Sequence, residues 1–324
     1  MSNLLNGWSK TIEYDKCIFF FCIVNYFKQI LNTQTNIMNL QISNLSKTYP
    51  NGVQALKGVS LNISNGMFGL LGPNGAGKST LMRTIATLQD ADSGEILFDG
   101  IDVQKDKQEL RKVLGYLPQE FGVYPKVSAE EMLMYIARLK GINRAGERKE
   151  LVKALLNQVN LYSHRNKYLG GYSGGMKQRF GIAQALIGNP KLVIVDEPTA
   201  GLDPAERLRF NNLLSEIGEN IVIILSTHIV DDVNELCNDM AIIAGGQVVQ
   251  RGNPEDLVNN ITNRIWSKRI RKDEIAAYQS KHKLILSKLS AGGVVIHVLS
   301  DNDPGEGFKK ETAGLEDVYF SNIA

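Results

Sequence analysis

Three apolar runs punctuate the middle of the chain: MFGLL at 67–71, KLVIV at 191–195 and IVIIL at 221–225. They lack the polar alternation of a half-exposed sheet, which predicts parallel strands covered on both faces. Between the first two, apolar residues recur with helical period over 130–140 and 148–159, predicting a mostly helical insert. Ahead of them, 38–64 reads as strand, turn and strand, with Pro50, Asn51 and Gly52 as the turn. Strand-like runs alternating with helical stretches from 38 to 252 are the pattern of an α/β domain. Beyond Gly252 the texture changes. A strand-like stretch at 264–271, a helix-like one at 273–282, a strand at 294–299 and a closing segment at 315–320 suggest a small α/β accessory domain over 253–324. No internal repeat is visible.

Residues 1–37 differ from the rest of the chain. The run CIFFFCIVNYF at 17–27 is apolar except for Asn25, yet falls short of the ~20 residues needed to cross a bilayer. Lysines precede it, but no small-residue cleavage site comes after it. We read Met38 as the natural start and 1–37 as a translated leader or poorly ordered extension, dispensable for folding, in preference to a membrane anchor.

Composition adds exclusions. The 324 residues are 43% hydrophobic and 22% charged, as in ordinary soluble globular proteins, and can bury at least one full core. A net charge of +2, from 36 basic and 34 acidic residues, supplies no global basic surface for nucleic acid. The cluster Arg264, Lys268, Arg269, Arg271 and Lys272 reads as a solvated face before it reads as a site for RNA or acidic lipid. Three cysteines cannot form a framework of bridges, and only Cys237 lies beyond the N-terminal stretch, which fits a reducing cytosol.

The candidate chemistry begins at Gly72, Pro73, Asn74, Gly75, Ala76, Gly77, Lys78, Ser79 and Thr80, a complete phosphate-loop pattern following a strand and opening a predicted helix at 81–88. Glycines let backbone N–H groups turn inward around phosphate oxygens, and the helix N-terminus adds partial positive charge. Lys78 should reach the β- and γ-phosphates of ATP, and Ser79 should ligate Mg²⁺. A second signal is Asp196-Glu197, two carboxylates ending the 191–195 run. Strand alternation points them in opposite directions, so they should have different tasks. Asp196 fits the Mg²⁺-side carboxylate and Glu197 the base that orients and deprotonates water. An Asp-Glu pair alone could equally cap the strand end; the phosphate loop upstream favours the catalytic reading.

Further motifs bear on the family. Tyr172-Ser-Gly-Gly-Met-Lys-Gln178 lies upstream of Asp196; Gln119 ends GYLPQ; Ala200-Gly-Leu-Asp203 follows Glu197; His228 ends the third apolar run; Tyr49 precedes the phosphate loop. Together with the phosphate loop, and in their order along the chain over 40–250, they resemble the ABC ATPases: signature, Q-loop, D-loop, switch histidine and adenine-stacking aromatic. The resemblance implies a phosphate-loop ATPase core with a mixed sheet, a helical insert subdomain and the small C-terminal α/β accessory domain. It also implies ATP and Mg²⁺ as cofactors, with Gln119 touching metal or water and His228 the γ-phosphate. Two such domains, identical or not, would pair head to tail. Ser173, Gly174 and Gly175, opening a helix, would offer a second cradle of N–H donors to the neighbour's ATP, with Asp203 alongside. Tyr172 and Met176 depart from the commoner Leu and Gln, which leaves the phosphate contact intact and puts only finer contacts near the ribose in doubt. The stretches 121–132 and 315–320 further resemble ATPases of the ABC-2 type exporter group. That implies a separate integral membrane permease, a coupling helix received by the insert, and a peripheral place on the cytoplasmic face of the cell membrane. The 253–324 segment would regulate the dimer or stiffen it. A soluble ABC protein acting on ribosomes or nucleic acid is the alternative, but the second ATPase module or long coiled coil of such proteins is absent. A nucleotide sensor without turnover fits poorly with Lys78, Asp196, Glu197 and His228 all present.

Overall fold

Asn39–Thr48 (β1) and Gln54–Ser64 (β2) form the expected hairpin, with Leu40 opposite Ile63 and Ile42 opposite Leu61, in a computed structural model that describes residues 38–218, 220–290 and 292–323. The reading of 1–37 lies outside the described residues. Gly66–Leu71 (β3) leads through the glycine-rich loop into Lys78–Ile85 (α1). Ser93–Phe98 (β4) and Ile101–Asp102 (β5) extend the hairpin into an antiparallel sheet of order β2-β1-β4-β5.

Lys107–Val113 (α2) and Leu114–Leu117 (β6) precede the helical insert, formed by Ala129–Leu139 (α3) and Ala145–Gln158 (α4). The start of α3 is set by Ser128, which makes a reciprocal capping box with Glu131. Gly174–Ala185 (α5), Leu192–Asp196 (β7), Pro204–Ile217 (α6), Val222–Thr227 (β8), Val230–Leu236 (α7), Asp239–Ala244 (β9) and Gln247–Gly252 (β10) complete this part. The second sheet has the order β10-β9-β3-β8-β7-β6. Its strands are parallel except β10, antiparallel at one edge, which makes the mixed sheet expected of an α/β phosphate-loop core. Every residue of β7 and β8 is buried, as their unbroken apolar runs require.

Alternate residues of the central strands enter two cores. Phe68, Leu70, Ile194 and Ile224 pack with Leu40, Ile42 and Leu81 towards the antiparallel sheet. Leu71, Val195 and Leu225 pack with Leu133, Leu156, Phe180 and Phe210 towards the helices. Each such side chain contributes about 1.5–3 kcal/mol by leaving water.

Pro254–Asn259 (α8), Ile265–Ile270 (β11), Ile275–Lys281 (α9), Leu284–Ser290 (β12), Gly293–Leu299 (β13), Lys309–Lys310 (β14) and Leu315–Ile323 (α10) come last. The strands form an antiparallel sheet of order β12-β13-β11-β14. Helices α8 and α10 tie it to the rest, because Leu257, Leu315, Val318 and Tyr319 share the helix-side core with Met240. Strand β12 has no counterpart in the sequence reading. Only Ile285 of its seven residues is buried, so it carries no clean alternation.

Candidate functional site

Parallel pairing brings the carboxyl ends of β3, β7 and β8 to one edge: Leu71 pairs with Thr227, and Asp196 with Ser226. The loop after β3, the Asp196-Glu197 pair and His228 therefore meet, as ligand-binding segments of α/β sheets do. A cavity of ≈ 500 Å³ lies there, lined among others by Tyr49, Lys78, Ser79, Gln119 and Glu197.

The loop needs its glycines for two physical reasons. A Cβ at Gly72 would sit 2.4 Å from the carbonyl oxygen of Ile243, so the backbone passes too close to β9 for any side chain. Gly77 has φ +109°, and a Cβ there would lie 2.5 Å from the Ala55 carbonyl oxygen. Helix α1 accordingly begins at Lys78, ahead of the 81–88 expected. Tyr49, just past β1, shares a hydrogen bond with Thr80 Oγ1 (3.1 Å) and donates to Gln89 Oε1 (3.2 Å), which stands its ring at the cavity wall.

Lys78 is buried. Its ammonium donates to the carbonyl oxygens of Gly72 (2.6 Å) and Pro73 (3.2 Å) and lies 3.7 Å from Glu197 Oε1. Burial pulls its pKa down from the ordinary lysine value, against the opposing pull of Glu197 and Asp196. Asp196 is buried as well, and burial pushes its carboxyl above the usual carboxylate range, partly offset by the Ser226 and Ser79 hydroxyls. Its Oδ1 makes no hydrogen bond. An orphaned carboxylate oxygen beside the Ser79 hydroxyl, facing a phosphate loop, is the oxygen donor set that Mg²⁺ takes from a protein, the rest coming from phosphates and water.

Glu197 departs from expectation. Strand β7 ends at Asp196, and Glu197 turns off it at φ 48°, in the left-handed region. Alternation therefore stops one residue too early to send it away from Asp196, and both carboxylates address Lys78. For a residue with a Cβ this conformation costs about 1–2 kcal/mol. The hydrogen bond from Glu197 N to the Ser226 carbonyl (2.9 Å) holds it. Its carboxylate is the convergence point of the site: Gln119 Nε2 donates to Oε2 at 3.1 Å, and His228 Nδ1 lies 3.2 Å from the same oxygen.

Ser173, Gly174, Gly175 and Asp203 do not line this cavity. Ser173 caps α5, its Oγ accepting from Met176 N (3.2 Å), and Asp203 caps α6, its Oδ1 accepting from Glu206 N (2.9 Å). The Ser173 hydroxyl is thus engaged by the N–H of Met176, one residue beyond the three of the cradle. Tyr172 is buried, with its hydroxyl donating to the His164 carbonyl (3.0 Å), so the unusual residue before Ser173 serves packing.

Several residues beside the site escaped the sequence reading: Thr199, Glu206, Arg207 and Asp232. Glu206 joins Arg179 and Arg209 in ion pairs. Asp232 is fully buried whereas Asp231 is exposed, and two consecutive aspartates in a helix's first turn give no signal of that difference.

A family model described as ABC transporter matches residues 56–200. The chain is 31% identical over 299 residues to the uncharacterized ABC transporter ATP-binding protein YxlF of Bacillus subtilis, covering 88% of this chain and 99% of that one. It is 36% identical over 224 residues to the Nod factor export ATP-binding protein I of Rhizobium etli, covering 68% and 70%. Among solved structures, a dimeric ATP-binding cassette in a post-hydrolysis state, bound to ADP and phosphate, matches with a TM-score of 0.61 at 28% identity, covering 66% of this chain and 98% of that one.

Proposed function

The chain belongs to the family of ABC transporter ATP-binding proteins and is an ATPase, and from that premise we propose that it powers transport, as an exporter motor, through a permease that is a separate polypeptide. The observation that carries the reading is the convergence of Lys78, Gln119 and His228 on Glu197 beside the phosphate loop. Lys78 and the loop N–H groups would hold the phosphates, with Tyr49 against the adenine. Glu197 would take the proton of the attacking water, while His228 orients that carboxylate and meets the γ-phosphate. Ser79 and Asp196, with the amide oxygen of Gln119, would hold Mg²⁺, which when bound neutralises developing charge on the phosphates. Ser173, Gly174, Gly175 and Asp203, standing apart from this cavity, would complete the site of a second ATPase domain, in a homodimer or heterodimer formed around ATP.

Among the described residues no helix is long and apolar enough to cross a membrane. A permease would hold the chain at the cytoplasmic face. A cavity of ≈ 650 Å³ lies away from the chemistry, between α2 and the helical insert. Leu88 (60% exposed) and Leu139 (68% exposed) line it, and an apolar groove on the insert suits a coupling helix of that permease. Export is supported by the name of the Rhizobium relative and by the likeness of 121–132 and 315–320 to ABC-2 type ATPases. The 38–252 segment would be the ATPase domain and 253–324 an accessory domain, anchored by α8 and α10.

Glu197→Gln tests the site. It should keep Mg·ATP binding, lower hydrolysis on the order of 10²–10⁴-fold, and trap an ATP-dependent dimer in gel filtration. Hydrolysis at the parental rate would sink the assignment.

A further inference from the structure

We propose that Asp232 is a positioning residue of the ATPase site: a buried carboxylate that locks the segment carrying Glu197 to the segment carrying His228. The proposal rests on the roles given to those two residues above. Asp232 lies in the first turn of α7, is 0% exposed, and does not line the nucleotide cavity, so it acts through others.

Three donors reach it from three segments. Thr199 Oγ1, two residues past Glu197, donates to Oδ2 at 2.6 Å. Thr227 Oγ1, immediately before His228, donates to the same oxygen at 3.3 Å. Arg207 Nε, on α6 four residues past Asp203, donates to Oδ1 at 2.8 Å. The Thr227 hydroxyl also accepts from Ile229 N at 3.0 Å, so one oxygen grips the chain on both sides of His228. Glu197 and His228 stand on different loops, and only a 3.2 Å approach lets the imidazole orient the carboxylate. Strand pairing ends at Asp196 and Thr227, and the Glu197 N–H bond to the Ser226 carbonyl fixes the backbone of Glu197 only, so neither sets Thr199 or His228 beyond the strand ends. Asp232 supplies that link.

A fold stabilised for its own sake has little use for such an arrangement. A buried ion pair is often matched or bettered by apolar side chains of the same volume. Here the charge brings three donors to a fixed arrangement that apolar packing could not specify, and Arg207 Nη2 is even left buried without a partner. A displacement of about 1 Å between catalytic groups can cost on the order of 10²-fold in rate.

The test compares Asp232→Asn, Thr199→Val and Glu197→Gln with the parental full-length chain, measuring kcat, KM for Mg·ATP, nucleotide affinity and the fraction of chains that bind nucleotide. Asparagine keeps the shape but turns an NH₂ towards either Arg207 Nε or the two threonine hydroxyls. Asp232→Asn should lower kcat at least tenfold, with KM, affinity and binding-competent fraction within threefold of the parent. Thr199→Val, which removes one hydroxyl and leaves the Arg207 pair, should lower kcat at least threefold with the same invariance. Parental kcat per binding-competent chain in both variants, with Glu197→Gln inactive, overturns the positioning role and leaves the site assignment standing. The positioning role is equally overturned if activity falls only in step with the binding-competent fraction, which is what a merely structural carboxylate would give. Glu197→Gln with parental turnover instead removes the site assignment and the proposal with it. Should Asp232→Asn fail to fold, Thr199→Val decides alone.

Discussion

Replacing Gly175 with alanine should destabilise the protein even without nucleotide, through a collision behind the signature helix. A Cβ at Gly175 would lie 2.4 Å from Glu206 Oε2, 2.8 Å from its Cδ and 2.9 Å from its Cγ. The carboxylate end of a glutamate would ordinarily swing aside. Here Arg179 bonds Oε2 and Arg209 holds Oε1 at 2.8 Å, with the Arg179 and Glu206 side chains only 12% and 18% exposed. An ordinary contact begins at 3.4 Å, so Glu206 must retreat by about 1 Å and loosen its grip on Arg179. Overpacking of this kind costs about 1–3 kcal/mol. Alanine's better helix propensity returns at most ~1 kcal/mol, and less in a first turn. A net loss of about 1–2 kcal/mol should remain, lowering Tm by roughly 2–8 °C. Thermal unfolding of the nucleotide-free parent, Gly175→Ala, Glu206→Ala and the double variant measures it. With Glu206 truncated, the alanine at 175 has nothing to strike, so the double variant should match Glu206→Ala within ~0.5 kcal/mol or exceed it. A parental Tm for Gly175→Ala, or additive losses in the double variant, would refute the reasoning.

Two further predictions concern charge and the shared site. Asp196→Asn should raise the Tm of the nucleotide-free protein at neutral pH while abolishing Mg²⁺-dependent hydrolysis. The folded pKa of Asp196 is raised, so the folded state holds the proton more tightly and stability falls as pH rises from the ordinary carboxylate value through the folded one. Above the folded value the parent bears that penalty in full, and the variant's advantage should shrink as pH falls towards the ordinary carboxylate value of about 4; thermal scans across pH showing no convergence would count against it. A Lys78→Ala chain mixed with a Ser173→Ala chain should recover part of the ATPase activity that neither shows alone, because one of the two sites in the mixed dimer pairs an intact loop with an intact signature. No recovery, together with no ATP-dependent crosslink between cysteines placed at Asn74 and Gly174, would overturn the shared site.

Much of this site was legible in the sequence because its chemistry is made by contiguous backbone. A phosphate loop is nine consecutive residues, and a glycine such as Gly77 is demanded locally by its own left-handed φ. The apolar runs ending at Asp196 and Thr227 told of buried parallel strands, because covering on both faces leaves no position for polar alternation. The sequence could not carry anything settled between segments distant along the chain. Local periodicity sent Glu197 away from Asp196, whereas a left-handed turn held by the Ser226 carbonyl brings it back. Strand β12 left no trace, since only Ile285 of its seven residues is buried and pairing with β13, rather than its own pattern, makes it a strand. Asp231 and Asp232 are one letter twice in the sequence, one in water and the other closed in by Thr199, Arg207 and Thr227. Covalent neighbours set backbone conformation within a few residues, but burial and charge pairing depend on which segments tertiary packing brings within a few ångströms, and a lone carboxylate carries no mark of its future partners.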